Sequence, residues 1–157
     1  MDKLWAPWRS KYLYLKKNKA CIFCINKDAD KDKKRYIISR TEYSFSMLNL
    51  YPYNNAHVMI APYRHLESIG NLSNAEVLDL MALAKRTKNI LDKELKPDGY
   101  NIGMNIGKVA GAGFAGHLHI HIVPRWTGDT NFMPIIADTK IVSESMDAMY
   151  KLLKEKC

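Results

Sequence analysis

The residues of this chain with the clearest chemical potential are three histidines that recur at every second position of one short segment. They are three of the chain's five histidines, and aliphatic residues alternate with them: His117, Leu118, His119, Ile120, His121 and Ile122. Side chains of a β-strand point alternately to opposite faces, so the pattern predicts a strand over His117–Val123 with its aliphatic residues in a core and its imidazoles on the other face. Neutral imidazole can attack phosphorus as a nucleophile, and protonated neighbours can donate to phosphate oxygens and to a leaving group.

The same geometry disfavours a metal site shared by all three histidines. Residues four apart in a strand lie about 13 Å apart, at about 3.3 Å per residue. Ligands of one zinc ion lie within about 4 Å of each other, because the Zn–N bond is about 2.1 Å long. His117 and His119 could share an ion, whereas His117 and His121 form an unfavourable pair. The segment therefore favours nucleophilic and acid–base chemistry on an anion.

The segment before the histidines is rich in glycine and could bind phosphates through backbone N–H groups. Residues 111–116, GAGFAG, match the pattern G-x-G-x-x-G literally. The dinucleotide-binding fingerprint requires a helix directly after that pattern, but here the alternating strand follows, so we exclude Rossmann-type binding. Gly107 and Lys108 do not form a P-loop, because the Ser or Thr and the upstream glycine spacing are missing.

Cys21 and Cys24 form a second candidate, in a C-x-x-C spacing. Thioredoxin-like redox chemistry would need this pair at the start of a helix inside a βαβ pattern, and that context is absent. Two interpretations stay open: thiols without a chemical role, or half of a zinc site that needs two further ligands. The odd total of three cysteines also argues against a secreted disulfide framework.

The elements that must position these residues indicate an α+β domain with an antiparallel sheet, one long helix and a C-terminal helix. We predict five strands from their apolar and β-branched content and from the turn residues between them. The predicted strands are Tyr36–Ser39, Ser44–Leu48, His57–Ala61, Tyr100–Asn105 and His117–Val123. Residues 1–35 are expected to be irregular.

Both helices have local signals. The long helix is predicted from Asn74 to about Leu95, because Ser73 and Glu76 fit a capping box and Pro97 and Gly99 follow its end. Its helically spaced apolar residues are Val77, Leu80, Met81, Ala84 and Leu91. A last amphipathic helix is predicted from about Glu144 to Lys154, with one apolar face formed by Met146, Met149, Tyr150 and Leu153.

Composition indicates an ordinary soluble chain. The 157 residues are 47% hydrophobic and 25% charged, which suits one globular domain. No stretch approaches the roughly 20 apolar residues that span a bilayer, and the N-terminus lacks the apolar core of a signal peptide, so we predict a cytoplasmic protein. The net charge of +8 favours acidic partners such as nucleotides, and scattered surface lysines explain the excess better than a nucleic-acid groove does.

The alternating segment resembles the H-φ-H-φ-H-φ signature of the histidine triad (HIT) nucleotide hydrolases and transferases, and the resemblance extends from about Cys21 to Trp126. Supporting matches are LNLYPYNNAHVMIAP, the capped helix and GMNIGKVAGAGFAGH. LWAPWR and PRWTGDTNFMP are most similar to the prokaryotic diadenosine polyphosphate phosphorylase-like subgroup. The resemblance implies a HIT-like fold and one domain over 1–157, with an N-terminal arm (1–35), a core (36–126) and a C-terminal extension (127–157).

The resemblance also implies catalytic and nucleotide-binding residues. His119 matches the nucleophile that attacks the α-phosphorus and becomes a nucleotidyl-histidine. His121 matches the histidine that contacts phosphate, His57 matches a fourth histidine that supports the triad, and His117 is the first triad residue. The residues expected at the nucleotide or its phosphates are Asn49, Asn105, Gly111, Gly113, His121 and Trp126. Asn105 stands where the fragile histidine triad hydrolases usually have Gln, which favours the phosphorylase-like subgroup.

Some HIT proteins hold a zinc ion with a C-x-x-C pair, a histidine after the third strand and the first triad histidine. The matching residues are Cys21, Cys24, His65 and His117. The resemblance therefore implies a structural zinc that leaves His119 unligated, and no obligatory organic cofactor.

The implied activity is a double displacement on a dinucleoside polyphosphate, in which water or inorganic phosphate releases the nucleotide from His119. One alternative is hydrolysis of a nucleoside phosphoramidate at the same site. Another is a non-catalytic module that binds nucleotides or RNA and uses its charge for association. The resemblance further implies a homodimer or homotetramer, and we expect a nucleotide substrate and neither a membrane nor a nucleic-acid partner.

Overall fold

The computed structural model describes residues 21–26, 31–130 and 144–157. Its helices and strands are α1 Asp32–Arg35, β1 Ile37–Arg40, β2 Ser44–Leu48, β3 Val58–Pro62, α2 Asn74–Leu95, β4 Gly99–Gly103, β5 Ile120–Arg125 and α3 Met146–Lys154, with a 3-10 helix at Ile69–Asn71. Much of the predicted N-terminal arm and C-terminal extension lies outside these described residues.

The strands of the described residues form one antiparallel sheet in the order β1-β2-β3-β5-β4. The predicted α+β class with an antiparallel sheet is confirmed. β5 lies between β3 and β4, so His121 is opposite Met59 on one side and Gly103 on the other. The central position of β5 places this histidine in the middle of the sheet.

Two apolar clusters cover the opposite faces of the sheet. The larger cluster lies against α2 and α3 and includes Ile120 and Ile122, as the alternation predicts. The smaller cluster consists of Phe23, Ile37, Phe45, Met47, Met59 and Ala61. Since Met59 is the cross-strand partner of His121, the smaller cluster shares its face of the sheet with the histidines.

The predicted strand His117–Val123 is wrong at both ends, since β5 covers Ile120–Arg125. Two long-range hydrogen bonds draw the preceding backbone away from the ladder. The Leu118 N–H donates to a carbonyl after β3 at 2.6 Å, and the Pro62 carbonyl accepts from the His117 ring at 2.9 Å. The first two triad histidines therefore lie just before the strand, outside its ladder.

The other strand predictions need smaller corrections. β2 has the predicted bounds, and β1, β3 and β4 differ from theirs by one or two residues at each end. Tyr36 is outside β1 because its φ of 55° caps the short helix α1, which the prediction of an irregular 1–35 segment did not include. Asn105 lies beyond β4, in the loop that leads to the glycines.

Helix α2 has the predicted bounds and N-terminal cap. The Ser73 hydroxyl accepts from the Glu76 N–H at 3.3 Å, and the Glu76 carboxylate accepts from the Ser73 N–H at 2.8 Å. These bonds satisfy backbone donors that the first turn leaves unpaired. Lys96, with a φ of 46°, ends the helix in the left-handed conformation.

The buried face of α2 differs from the predicted apolar stripe. Val77 and Met81 are 38% and 58% exposed, whereas Leu83 and Thr87 are buried. The sheet therefore contacts a face rotated from the one that apolar spacing indicates.

Helix α3 begins at Met146, two residues later than predicted, because Ser145 caps it by accepting from the Ala148 N–H. Its apolar face packs on the larger cluster as predicted. No helix within the described ranges is long and apolar enough to cross a membrane.

Candidate active site and metal cluster

Four histidines meet on the face of the sheet that carries the smaller cluster. His57 precedes β3, His121 lies in β5, and His117 and His119 lie just before β5. The ring centroids of His119 and His121 are 4.7 Å apart, and those of His57 and His121 are 5.1 Å apart. All four side chains are buried. The antiparallel pairing of β3 with β5 thus brings together the four predicted catalytic histidines.

The hydrogen bonds of His57 define which of its nitrogens carries the proton. Its Nδ1 accepts from the Tyr53 backbone N–H at 3.1 Å, and the Asn49 side-chain amide points at the same atom from 3.3 Å. A backbone N–H can only donate, so Nδ1 holds a lone pair and the proton is on Nε2. That Nε2–H donates to His121 Nδ1 at 2.9 Å. The neutral form of His121 consequently carries its proton on Nε2.

Burial keeps His57 neutral. Together with the nearby His121 and His119, it lowers the pKa of His57 to about 3. Desolvation disfavours the charged imidazolium, and His57 makes no ion pair with a carboxylate that would offset this effect within the described residues. His57 therefore stays neutral across the physiological pH range and keeps the Nε2 proton that it donates to His121.

One hydrogen bond fixes the neutral tautomer of His119. Its Nδ1 lies 2.8 Å from the backbone carbonyl oxygen of His117, so Nδ1 carries the proton and donates it. The lone pair is then on Nε2. Burial lowers the pKa of His119, and the carbonyl partly opposes this shift. The ring thus stays neutral near neutral pH, and a neutral ring can attack an electrophile through Nε2.

The predicted metal ligands form one cluster. Cys21 Sγ lies 3.4 Å from His117 Nδ1, and Cys24 Sγ lies 3.2 Å from His65 Nδ1 and 3.9 Å from His117 Nδ1. All four ligand atoms lie within 4.8 Å of one another. Tetrahedral zinc with bonds of about 2.0–2.3 Å places its ligands about 3.3–3.8 Å apart, so this set of two sulfurs and two nitrogens fits such an ion.

His117 connects the cluster with the triad. Its Nε2–H donates to the Pro62 carbonyl at 2.9 Å, which leaves the Nδ1 lone pair directed at the two thiols. Metal-binding histidines in general donate their other ring N–H to a carbonyl, a carboxylate or water, and this hydrogen bond fixes the tautomer. Both ring nitrogens of His117 therefore already have partners on the protein.

The residues predicted to contact the nucleotide differ in how closely they are connected to the four histidines. Asn49 is held beside His57, since its Oδ1 accepts from the Tyr51 N–H at 2.9 Å. Asn105 is two residues beyond Gly103, the cross-strand partner of His121. Gly111 has a φ of +84°, a conformation that favours glycine, and it lies with the exposed Gly113 in the loop before the triad.

The structure does not bring Trp126 to the histidines. It follows the end of β5 remote from His121, and its indole N–H donates to the Leu95 carbonyl at 3.4 Å. Asn131 and Phe132, which could fold over a bound phosphate or base by their place in the sequence, lie outside the described residues.

Sequence reasoning missed two residues of the site. Phe23, between the two cysteines, stacks on His119 with ring centroids 4.6 Å apart and an interplanar angle of 27°. Tyr53 supplies the N–H that orients His57, and its ring lies 4.6 Å from that histidine. One lies inside the C-x-x-C and the other four residues before His57, and neither residue type is chemically specific enough to signal its role.

Comparisons with known proteins agree with this arrangement. A family model described as "HIT domain" matches residues 30–128. The AP-4-A phosphorylase of Mycobacterium tuberculosis is 33% identical over 98% of this chain and 83% of its own length. A histidine triad nucleotide-binding protein from Sulfolobus tokodaii matches with a TM-score of 0.66 and 25% identity, over 86% of this chain and 90% of that one. A Zn-bound histidine triad family protein from Mycobacterium smegmatis also has a TM-score of 0.66, at 22% identity over 87% of this chain and 92% of that one.

Proposed function

The chain belongs to the HIT domain family, and we propose that it cleaves dinucleoside polyphosphates by a double displacement through a nucleotide bound covalently to His119. The observation that carries this proposal is the orientation of His119. Its Nδ1–H is donated to the His117 carbonyl, so the lone pair of a neutral, buried ring is available on Nε2. The similarity to an AP-4-A phosphorylase supports the class of substrate.

In the first step, His119 Nε2 attacks the α-phosphorus of the substrate. A P–N bond forms, the P–O bond to the bridging oxygen breaks, and the remaining nucleoside polyphosphate departs with the electron pair. The hydrogen bond from His57 to His121 Nδ1 leaves the proton of neutral His121 on Nε2, where it can form a hydrogen bond to a phosphate or leaving-group oxygen that gains negative charge. Dividing one displacement into two lets the same imidazole serve as nucleophile and then as leaving group.

In the second step, an oxygen of water or inorganic phosphate forms a bond to the nucleotidyl phosphorus, the P–N bond breaks, and its electron pair returns to His119 Nε2. The proton of an attacking water is released to solvent. Water gives a nucleoside monophosphate, and phosphate gives a nucleoside diphosphate; His119 returns to its neutral state in both cases. We assign the phosphates to the loop containing Gly111 and Gly113, the leaving group to Asn105, and the ribose region to Asn49. We leave Trp126 out of this pocket because it lies at the other end of β5.

We further propose that Cys21, Cys24, His65 and His117 hold a structural zinc ion. The two thiols and the two lone-pair nitrogens are the ligand types that closed zinc sites use. When bound, the metal would favour the thiolate forms and tie residues 21–26 to the segment before β5. Metal analysis of protein purified without a histidine tag is expected to give about one zinc per chain, because a structural zinc ion takes four ligands and the four residues of the cluster supply one such set. Absence of zinc, with both thiols reactive, would refute the assignment.

The proposed activity is tested by incubating the protein with diadenosine tetraphosphate, with and without inorganic phosphate. Adenosine diphosphate formed only with phosphate identifies a phosphorylase, and adenosine monophosphate under both conditions identifies a hydrolase. The His119→Gly variant should lose turnover and the covalent adduct while it still binds the nucleotide. Wild-type protein that binds the dinucleotide without turning it over would favour the non-catalytic binding module, and turnover of a nucleoside phosphoramidate alone would favour the other enzymatic alternative.

We propose a homodimer or homotetramer in the cytoplasm. Leu78 and Met81 support an assembly, because these apolar side chains on α2 are 72% and 58% exposed. The free thiols of Cys21, Cys24 and Cys157 suit a reducing compartment. Light scattering on the zinc-loaded protein measures the oligomeric state, and a monomeric mass at micromolar concentration would contradict the proposed assembly.

A further inference from the structure

Phe23 lies between the two proposed metal-binding cysteines and also contacts the proposed nucleophile. Its side chain is 1% exposed. One neighbour is the His119 ring, stacked at 4.6 Å, and another is the His117 ring, tilted at 5.3 Å. Phe23 therefore contacts both the proposed metal ligand His117 and the proposed nucleophile His119.

The short segment around Phe23 is held by its flanking residues. The Cys24 N–H donates to the Cys21 carbonyl at 3.2 Å, and the Ile25 N–H donates to the Phe23 carbonyl at 3.0 Å. Both thiols face His117 Nδ1, so a metal in the cluster would fix the backbone on each side of the phenyl ring. The ring has little freedom to leave His119 while the cluster is intact.

The stack restricts a motion that the hydrogen bond of His119 leaves open. The bond from Nδ1 to the His117 carbonyl fixes one atom of the imidazole, about which the ring can still tilt. Phe23 covers one face of that ring, and His121 meets it edge-on at an interplanar angle of 71°. Together, the hydrogen bond and the two ring contacts fix the direction of the His119 Nε2 lone pair.

We propose that Phe23 is a positioning residue that holds His119 in the orientation for attack on phosphorus, and that the metal cluster acts on catalysis through Phe23. This inference rests on the proposed function of His119. It assigns the cluster a role beyond stability: when residues 21–26 detach, the nucleophile loses the partner that defines its direction. Small displacements of a reacting group cost large factors in rate, so the effect should appear in the chemical step.

The test compares Phe23→Leu with Phe45→Leu. Phe45 is an equally buried phenylalanine of the same apolar cluster, and its aromatic partner is Tyr63. Both variants remove a ring from the cluster, but only Phe23→Leu removes it from His119. Rapid-quench mixing with diadenosine tetraphosphate measures formation of the nucleotidyl-enzyme. We expect Phe23→Leu to slow this step about tenfold with KM changed by less than about twofold, and Phe45→Leu to react at nearly the wild-type rate.

A second readout reports the stack without turnover. Ring protons of an imidazole that lies over a phenyl face are shielded, so NMR of histidine-labelled, zinc-loaded protein should show His119 resonances upfield in wild type and Phe45→Leu. The shielding should be lost in Phe23→Leu. Chelating the zinc from wild-type protein should reduce it as well and slow adduct formation, which tests the coupling even if Phe23→Leu does not fold.

The outcomes separate the two proposals. If wild type forms an adduct on His119 and Phe23→Leu forms it equally fast, or if Phe45→Leu slows it as much, the role of Phe23 is refuted and His119 remains the nucleophile. Unchanged shielding and rate after chelation would refute the coupling to the metal cluster. If wild type turns over without an adduct on His119, the proposed function itself is refuted, and the role of Phe23 with it.

Discussion

The depressed pKa of His57 predicts a specific loss of stability in acid. In the unfolded chain a histidine titrates near pH 6.5, whereas in the folded protein the pKa of His57 falls to about 3. Between these values the unfolded state binds a proton that the folded state excludes. The part of the unfolding free energy that depends on neutral His57 is therefore complete above about pH 6.5, and it is lost progressively as the pH falls towards about 3.

The magnitude follows from the unfolded pKa. Each pH unit below about 6.5 lowers the free energy of unfolding by about 1.4 kcal/mol. At about pH 5 the loss due to His57 alone is therefore about 2 kcal/mol. This value is insensitive to the folded pKa, because at pH 5 His57 is almost fully deprotonated in the folded protein for any folded pKa near 3. It applies without discount for solvent screening, since the side chain is 1% exposed.

The variant that isolates this contribution is His57→Gln, which keeps an amide donor and a carbonyl acceptor on an uncharged side chain. Replacing the buried hydrogen bonds with less well aligned ones should cost about 1–2 kcal/mol at neutral pH. The loss of unfolding free energy between about pH 7.5 and pH 5 should then be about 2 kcal/mol smaller than in wild type.

Urea unfolding followed by circular dichroism at the two pH values, on zinc-loaded protein, measures both effects. Phe45→Leu serves as the control, because it destabilises the apolar cluster without removing a titrating group and should keep the wild-type pH dependence. Equal losses in wild type and His57→Gln would show that His57 titrates normally in the folded protein. The desolvation that keeps His57 neutral in the folded protein, and the acid sensitivity derived from it, would then be refuted.

Two further predictions concern the cluster and the helix cap. Cys24→Ser should reduce bound zinc and lower the free energy of unfolding by about 3 kcal/mol at a zinc concentration 100-fold above Kd. Metal analysis and urea unfolding measure the two effects. Unchanged stability with zinc lost would contradict a structural role. Glu76→Gln should cost about 1 kcal/mol at neutral pH, because the carboxylate accepts from the Ser73 N–H and pairs with Arg64, whose side chain is 59% exposed. The pKa of Glu76 is lowered to about 2, chiefly by Arg64, so this difference should shrink as the pH falls below about 4.5, and a constant difference would refute the ion pair's part in it.

Local signals account for the parts of the fold that the sequence predicts well. The bounds of α2 follow from a capping box that involves residues only three apart, and β2 is a short β-forming segment with turn residues on either side. The segment 117–119 is different: its alternation is that of a strand, but its backbone and side-chain partners are carbonyls at Leu66 and Pro62, about which the local pattern contains no information. Likewise, the face of α2 that is buried depends on how the helix docks on the sheet.

The candidate site was predictable where residue types are chemically specific. Histidines and cysteines at defined spacings are rare enough to indicate one site, and the structure gathers His57 with the triad and His65 with the cysteine pair. Phe23 and Tyr53 carry no such signal, because a phenyl ring packs in many contexts and a backbone N–H is present at every residue except proline. Their roles appear only once the distances are known.

His117 shows why the triad spacing can serve two sites at once. Three of its polar groups connect the two sites: Nε2–H points to the Pro62 carbonyl, Nδ1 to the thiols, and the backbone oxygen to His119 Nδ1. The His117 carbonyl thereby reaches the ring of the histidine two residues further along the chain. The proposed metal ligand and the proposed nucleophile are consequently one hydrogen bond apart. Any change in the cysteine cluster that rotates the backbone at His117 must also move the group that orients His119, and the stack of Phe23 on both rings adds a second connection between them.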